Sequence, residues 1–252
     1  MRSIFSILMI ITFFISCKRA KQGHDDMDYR IIRISDSISA SQGIDSFIRP
    51  YQNKIDSEMN RKLSYSPGSM YKTDHPLNTP IGNLMADALL EMSDSVLRKR
   101  EQVEVDAVLL NYGGIRAGIN KGDVTVRTAY DIMPFENKVV VAKLGPNAVH
   151  KMVDYLVKAR KAHPIAGMQL VLNENEELAS AMINGQRLGN KQNYYIATSD
   201  YLFNGGDDMD FFDDAKANYD LDYKLRNLFI DYFKKQDALM VVRDERFIQR
   251  EQ

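Results

Sequence analysis

Tryptophan is absent from this chain of 252 residues, and cysteine occurs once, at Cys17. A single cysteine excludes an internal disulfide, so stability has to come from a buried core. Charge of one sign is also missing: 33 Lys and Arg stand against 34 Asp and Glu, for a net of -1. That balance gives no electrostatic footprint for nucleic acid, whose binding proteins carry a basic face. Histidine is scarce, with His24, His75, His150 and His163 only. No Asp-x-His, Asn-His-Glu or Gly-His-x-His pattern surrounds them, whereas a two-metal hydrolytic site needs several His, Asp and Asn ligands together. A Ser-His-Asp set, a Cys-His pair and a phosphate loop are missing too. The acidic run Asp207-Asp208-Met209-Asp210 lacks the ligand spacing and closing glutamate of a calcium loop. No apolar run reaches the roughly 20 residues of a membrane-spanning helix.

The apolar run that is present lies at the N-terminus. Residues 4–15 follow Arg2 and have the length of a signal-peptide core. Cys17 comes directly after Phe14-Ile15-Ser16, which resembles the lipobox of bacterial lipoproteins. This predicts a signal peptide over 1–16, a lipid on Cys17 and a polar tether over 17–28. The protein would then be lipid-anchored in the bacterial cell envelope, at the outer membrane or a periplasmic face.

The remainder, 29–252, has ordinary globular composition and enough length for one domain with a real core. Alternation predicts an edge strand at 29–34. Ile44, Phe47, Ile48, Tyr51, Ile55 and Met59 share one face of a helix over 41–63, with Pro50 as a kink or a start. Thr79 and Pro80 read as N-cap and first position of a helix over 81–99. Strands are expected at 103–110, 138–144, 165–172, 181–183, 194–198 and 238–242. Helices are expected at 128–132, 148–160 and 224–235, and Asn184-Gly185 as a hairpin turn. Hairpin and crossover connections together give an α+β class, mixed β-sheets packed with helices.

Two loops carry the chemistry. Asn111-Tyr112-Gly113-Gly114-Ile115-Arg116 and Tyr201-Leu202-Phe203-Asn204-Gly205-Gly206-Asp207 each place a charged group after a Gly-Gly bend that follows an apolar run. Glycine pairs let a ligand approach the backbone closely. Arg116 offers donors suited to phosphate or ribose oxygens, and Asp207 can accept from a vicinal diol. Tyr201 and Phe135 can present flat faces to a base, although a single aromatic is more often part of a core than a clamp.

Four ordered motifs carry a resemblance. Gly82-Asn83-Leu84-Met85-Ala86-Asp87-Ala88, the Asn111–Arg116 loop, Pro134-Phe135-Glu136-Asn137 and Asn204-Gly205-Gly206-Asp207 together look like the C-terminal, substrate-binding domain of the 5′-nucleotidase/UDP-sugar hydrolase family, over roughly 40–215. The resemblance implies that Phe135 and Tyr201 sandwich the base and Asp207 binds ribose hydroxyls. It further implies that Arg116 reaches ribose or phosphate, and that Asn111, Asn137 and Gly167 line the base pocket. His75-Pro76-Leu77-Asn78 stands where relatives carry a phosphate-directed arginine, which shifts the expectation toward a nucleoside or nucleotide sugar. Catalysis in the family belongs to a separate metallophosphatase domain. No cofactor is therefore expected here, and the two metals are expected in a partner chain. Two further readings stay open: a lipoprotein that captures nucleosides for uptake without hydrolysis, and a remnant domain used only for protein contact.

Overall fold

The computed structural model describes residues 31–35, 38–240 and 243–250. The signal peptide, tether and Cys17 expected from the sequence lie outside them. Contacts separate residues 1–49 from a second unit, 50–252, that holds every sheet found among the described residues.

In chain order the elements are α1 Gln42–Met59, β1 Lys62–Ser66, α2 Pro80–Glu101, β2 Ala107–Leu109, β3 Gly122–Thr125, α3 Val126–Ile132, β4 Lys138–Leu144 and α4 Pro146–Ala159. Then come β5 Ile165–Ala166, β6 Met168–Leu172, β7 Leu178–Ile183, β8 Gln186–Arg187, β9 Tyr194–Ser199, α5 Asp200–Phe203, β10 Ala217–Lys224, α6 Leu225–Lys235 and β11 Phe247–Gln249. The mixed α+β class expected from the sequence is the one observed.

A five-stranded sheet of order β10-β4-β9-β2-β5 is the centre of the second unit. Its β2 and β9 run parallel, with Ala107 opposite Ile196, and its other pairs are antiparallel. Period-two alternation sorts its side chains onto two cores. Val108, Val139, Val141 and Ala197 face the core of α2 and α6, which includes Leu89, Phe229 and Phe233. Ala107, Leu109, Ala142, Leu144 and Ile196 face the opposite core, built from α4, the four-stranded sheet β11-β6-β7-β8 and Phe212. The centre of β4, Val139-Val140-Val141-Ala142, therefore reads as a short apolar run, because both faces of the strand are covered.

Helix α2 anchors the first core. Thr79 Oγ1 accepts the Gly82 N–H at 3.2 Å, Pro80 takes the first turn, and Arg98, Lys99 and Arg100 sit at the C-terminal end of the dipole. Thr79→Ala is expected to cost about 1 kcal/mol of stability, read as a lower denaturant midpoint at unchanged slope.

Several expectations are corrected. Residues 31–34 form no strand, and Ile31 and Ile34 are almost fully exposed. Helix α1 ends at Met59 and runs through Pro50, and none of its residues is buried. Ile44, Phe47, Tyr51 and Ile55 are each more than half exposed, so the apolar stripe exists without the burial that its spacing suggested. Leu63 belongs to β1, which pairs with β3. The expected strand over 165–172 is two strands in two sheets. Gly167 divides them at φ +70, and a Cβ there would stand 2.3 Å from the Asp106 carbonyl oxygen, so the chain crosses between sheets at a place that admits no side chain. Residues 238–240 carry no strand, whereas β10 was not anticipated. Among the described residues no helix is long and apolar enough to cross a membrane.

Candidate functional site

Topology brings the two Gly-Gly loops together. Because β2 and β9 are parallel neighbours, both leave the sheet at the same edge. The chain after β2 enters Asn111 and a 3-10 turn at Tyr112–Gly114, and the chain after β9 enters α5 and then Gly205-Gly206-Asp207. Strand β4 runs antiparallel to β9, with Val139 opposite Ser199, so its entry segment Phe135-Glu136-Asn137 arrives at that edge as well. The result is a cleft of about 340 Å³ lined by Asn111, Arg116, Phe135, Asn137, Tyr201 and Asp207. That volume lies within the range of small-ligand pockets.

Six of the seven residues expected at the site thus meet in one cleft. Gly167 does not. It lies in a separate groove beside Asp87, Asn184, Asp244 and Arg246, for the reason given above: it is a crossing point between sheets.

The cleft pairs each aromatic ring with a charged group, Tyr201 with Asp207 and Phe135 with Arg116. Phe135 is 40% and Tyr201 47% exposed, which is uncommon for rings that merely fill a core. Asp207 stands in the left-handed region at φ 55, a costly conformation for a non-glycine residue. Asn111 Nδ2 donates to its Oδ2 at 2.8 Å and the Tyr201 hydroxyl to its Oδ1 at 2.9 Å. A carboxylate has about four acceptor positions, so each oxygen keeps capacity for a ligand hydroxyl. The Asp207 carboxylate holds the Tyr201 phenol above its ordinary pKa, which keeps that hydroxyl a donor. Gly206 packs against Tyr201: a Cβ there would lie 2.6 Å from the ring atoms Cε1 and Cζ. The Arg116 guanidinium sits 5.8 Å over the Phe135 ring and makes one long contact, 3.5 Å, to the Gly113 carbonyl.

Sequence reasoning missed the supports. Buried Arg226 donates from Nη1 to the carbonyls of Pro134 at 3.1 Å and Phe135 at 3.3 Å, pairs with Glu136, and stacks 4.1 Å over Tyr130. Lys224 and Arg226 together pull the Glu136 carboxyl down to about 2. Leu110, Met133, Ser199 and Leu225 also line the cleft. Ser199 had a local signal, since it caps α5 by accepting the Leu202 N–H at 3.2 Å.

His163, only 5% exposed, accepts the Tyr112 N–H on Nδ1 at 3.2 Å. Its proton therefore sits on Nε2, which has no partner among the described residues. Burial pushes the His163 pKa down. The folded chain resists a proton that the unfolded chain takes up near about pH 6.5, so this contribution to stability is whole above that pH and is lost as pH falls. The slope for one such group is at most about 1.4 kcal/mol per pH unit. His163→Asn keeps an acceptor and removes the titration. Denaturant midpoints should then fall less between about pH 6.5 and 5.5 in the variant than in the parent.

Among the described residues no group of three or more His, Cys, Asp or Glu side chains is placed to hold a metal ion.

Fold and cleft together define a ligand-binding domain with its site at the shared edge of parallel strands. The family model "5′-nucleotidase, C-terminal domain" matches residues 63–214, and the chain belongs to that family. Trifunctional nucleotide phosphoesterase protein YfkN of Bacillus subtilis is 26% identical over 213 residues, covering 78% of this chain and 14% of the relative. Protein UshA of Escherichia coli is 22% identical over 202 residues, covering 77% of this chain and 34% of the relative. A crystal structure of a 5′-nucleotidase precursor from Thermus thermophilus superposes with a TM-score of 0.68 at 19% identity, covering 81% of this chain and 42% of that one. That last likeness is one of fold. The chain spans less than half the length of each of these relatives.

Proposed function

We propose that this domain is the nucleotide- or nucleoside-binding module of a 5′-nucleotidase-type phosphohydrolase of nucleotide catabolism, working with a metallophosphatase carried on a separate chain and held at the bacterial cell envelope through Cys17. One observation carries the binding role: two exposed aromatic faces, Phe135 and Tyr201, share a cleft with a carboxylate that has acceptor capacity to spare. A base stacks between the rings for about 1–3 kcal/mol per face. Asn137, half-buried at the cleft wall, reads the base edge through its amide. Asp207 takes the ribose hydroxyls, and Arg116 turns from Phe135 to a phosphate or ribose oxygen. The names of the relatives, a nucleotide phosphoesterase and 5′-nucleotidases, agree with that ligand class.

Calorimetric titration of the full chain with adenosine and AMP in the presence of a chelator tests the reading. Metal-independent binding of either supports it, and the ratio of the two affinities measures what Arg116 contributes to phosphate. Absence of binding by both refutes the nucleoside pocket. The partnership has its own test. Adding the chain to the cognate metallophosphatase should raise turnover or narrow specificity, and an unchanged rate and selectivity would end the split-enzyme idea.

A further inference from the structure

Asp207 and the Asn111–Arg116 loop come from different strands and meet at the cleft through the bond from Asn111 Nδ2 to Asp207 Oδ2, which ties the side chains and leaves both backbones to be held from elsewhere. Two side chains behind the cleft reach those backbones. Tyr155, on α4, donates its hydroxyl to the Asp207 backbone carbonyl at 2.9 Å. His163, just after α4, accepts the Tyr112 N–H at 3.2 Å. The two rings meet edge to face, with centroids 5.7 Å apart and planes at 64°, and Tyr155 makes a second such contact with Phe211 at 5.7 Å. One continuous chain of contacts therefore runs from the Tyr112 backbone through His163 and Tyr155 to the Asp207 backbone.

We propose that Tyr155 and His163 are positioning residues, a brace behind the cleft that holds the Asp207 carboxylate in register with the Asn111–Arg116 loop for recognition of a vicinal diol. The inference rests on the nucleoside-binding reading. The backbone at Asp207 needs such a hold. Asp207 and Asp208 are consecutive non-glycine residues at φ 55 and φ 58, a conformation that persists only where the surroundings determine it. A carbonyl fixed by a tyrosine hydroxyl sets the peptide plane, and the peptide plane sets where the carboxylate points. Burial, with the charges of Asp207 and Asp208, pushes the Tyr155 phenol up, so it remains a donor through neutral pH. On the other loop, an Nδ1 acceptor fixes the first N–H of the 3-10 turn and with it the side chains on either side, Asn111 and the residues leading to Arg116. Neither residue lines the cleft.

The test is a comparison of two ligands across three variants of the full chain. The parent protein should bind adenosine about tenfold or more tightly than 2′,3′-dideoxyadenosine, which has no diol. Tyr155→Phe removes one hydroxyl and keeps the ring. It should weaken adenosine by about five- to tenfold and leave the dideoxynucleoside within about twofold, so that the preference shrinks. His163→Phe should weaken adenosine comparably, and His163→Asn, which restores an acceptor, should recover most of the loss. An equal loss for both nucleosides in Tyr155→Phe would reduce Tyr155 to a general stabiliser and overturn the brace, as would no loss at all. A parent protein that binds both nucleosides equally would instead remove the diol role of Asp207, and the brace with it. These two failures are told apart by the parent protein's own preference.

Discussion

Asp207→Ala should lower adenosine affinity by about 100-fold, the largest effect expected of any single change in the cleft. Two ribose hydroxyls would each donate to a carboxylate oxygen, and charge-assisted bonds contribute about 1.5–3 kcal/mol apiece. The lower figure for both gives about 3 kcal/mol, hence the two orders of magnitude. The variant also frees Asn111 Nδ2 and the Tyr201 hydroxyl, whose acceptor in the free protein is that same carboxylate. Asp207→Asn is the sharper probe, because it keeps the volume and replaces two charged acceptors by one neutral acceptor and a donor. Titration of both variants with adenosine measures the effect. A loss below about threefold would remove the diol-binding role, since it is less than one neutral hydrogen bond is worth.

The second large effect lies outside the cleft. Arg226→Ala should destabilise the domain by about 3 kcal/mol, because it strips a buried side chain whose partners remain behind. The carbonyls of Pro134 and Phe135 lose their donor, Glu136 loses one of its two cations, and the face of Tyr130 loses the guanidinium over it. Arg226→Lys should recover little. A single ammonium cannot reach two carbonyls and a carboxylate while lying flat on a ring. The loss appears as a lower denaturant midpoint with an unchanged slope. Ligand affinity should fall with it, because Phe135 and Asn137 ride on the segment that Arg226 holds and Leu225 N–H ties down at the Asn137 carbonyl, 2.9 Å away.

What could be read from the sequence depended on range. Strand β4 was legible because both its faces are covered, so its centre, Val139-Val140-Val141-Ala142, is apolar between the two lysines Lys138 and Lys143. The two glycine loops were legible because a Gly-Gly bend with its aromatic and its acid is a local pattern. Strand β10 was not, since Asp220, Asp222 and Lys224 make an exposed edge strand look like a loop. The helix at 42–59 shows the limit of periodicity, which reports a stripe and is silent on what covers it. Gly167 shows the limit of motif transfer. The backbone crossing at Asp106 is enough to require its glycine, and the residue lies in a groove separate from the cleft. Arg226, Tyr155 and His163 gave no signal, because each acts on a backbone group 51 to 92 positions away in the chain. Such pairings exist only once the fold has brought the segments together.

The parallel pairing of Ala107 with Ile196 also has a kinetic consequence. Closing so long a loop costs entropy before any contact repays it, so the step is expected to be slow and to come late. The edge from which both glycine loops depart is complete only after that closure. A ligand therefore has nothing to grip before that closure. A ligand held there is expected to leave the refolding rate unchanged and to slow unfolding, so that it lengthens the lifetime of the native state and not the time taken to reach it.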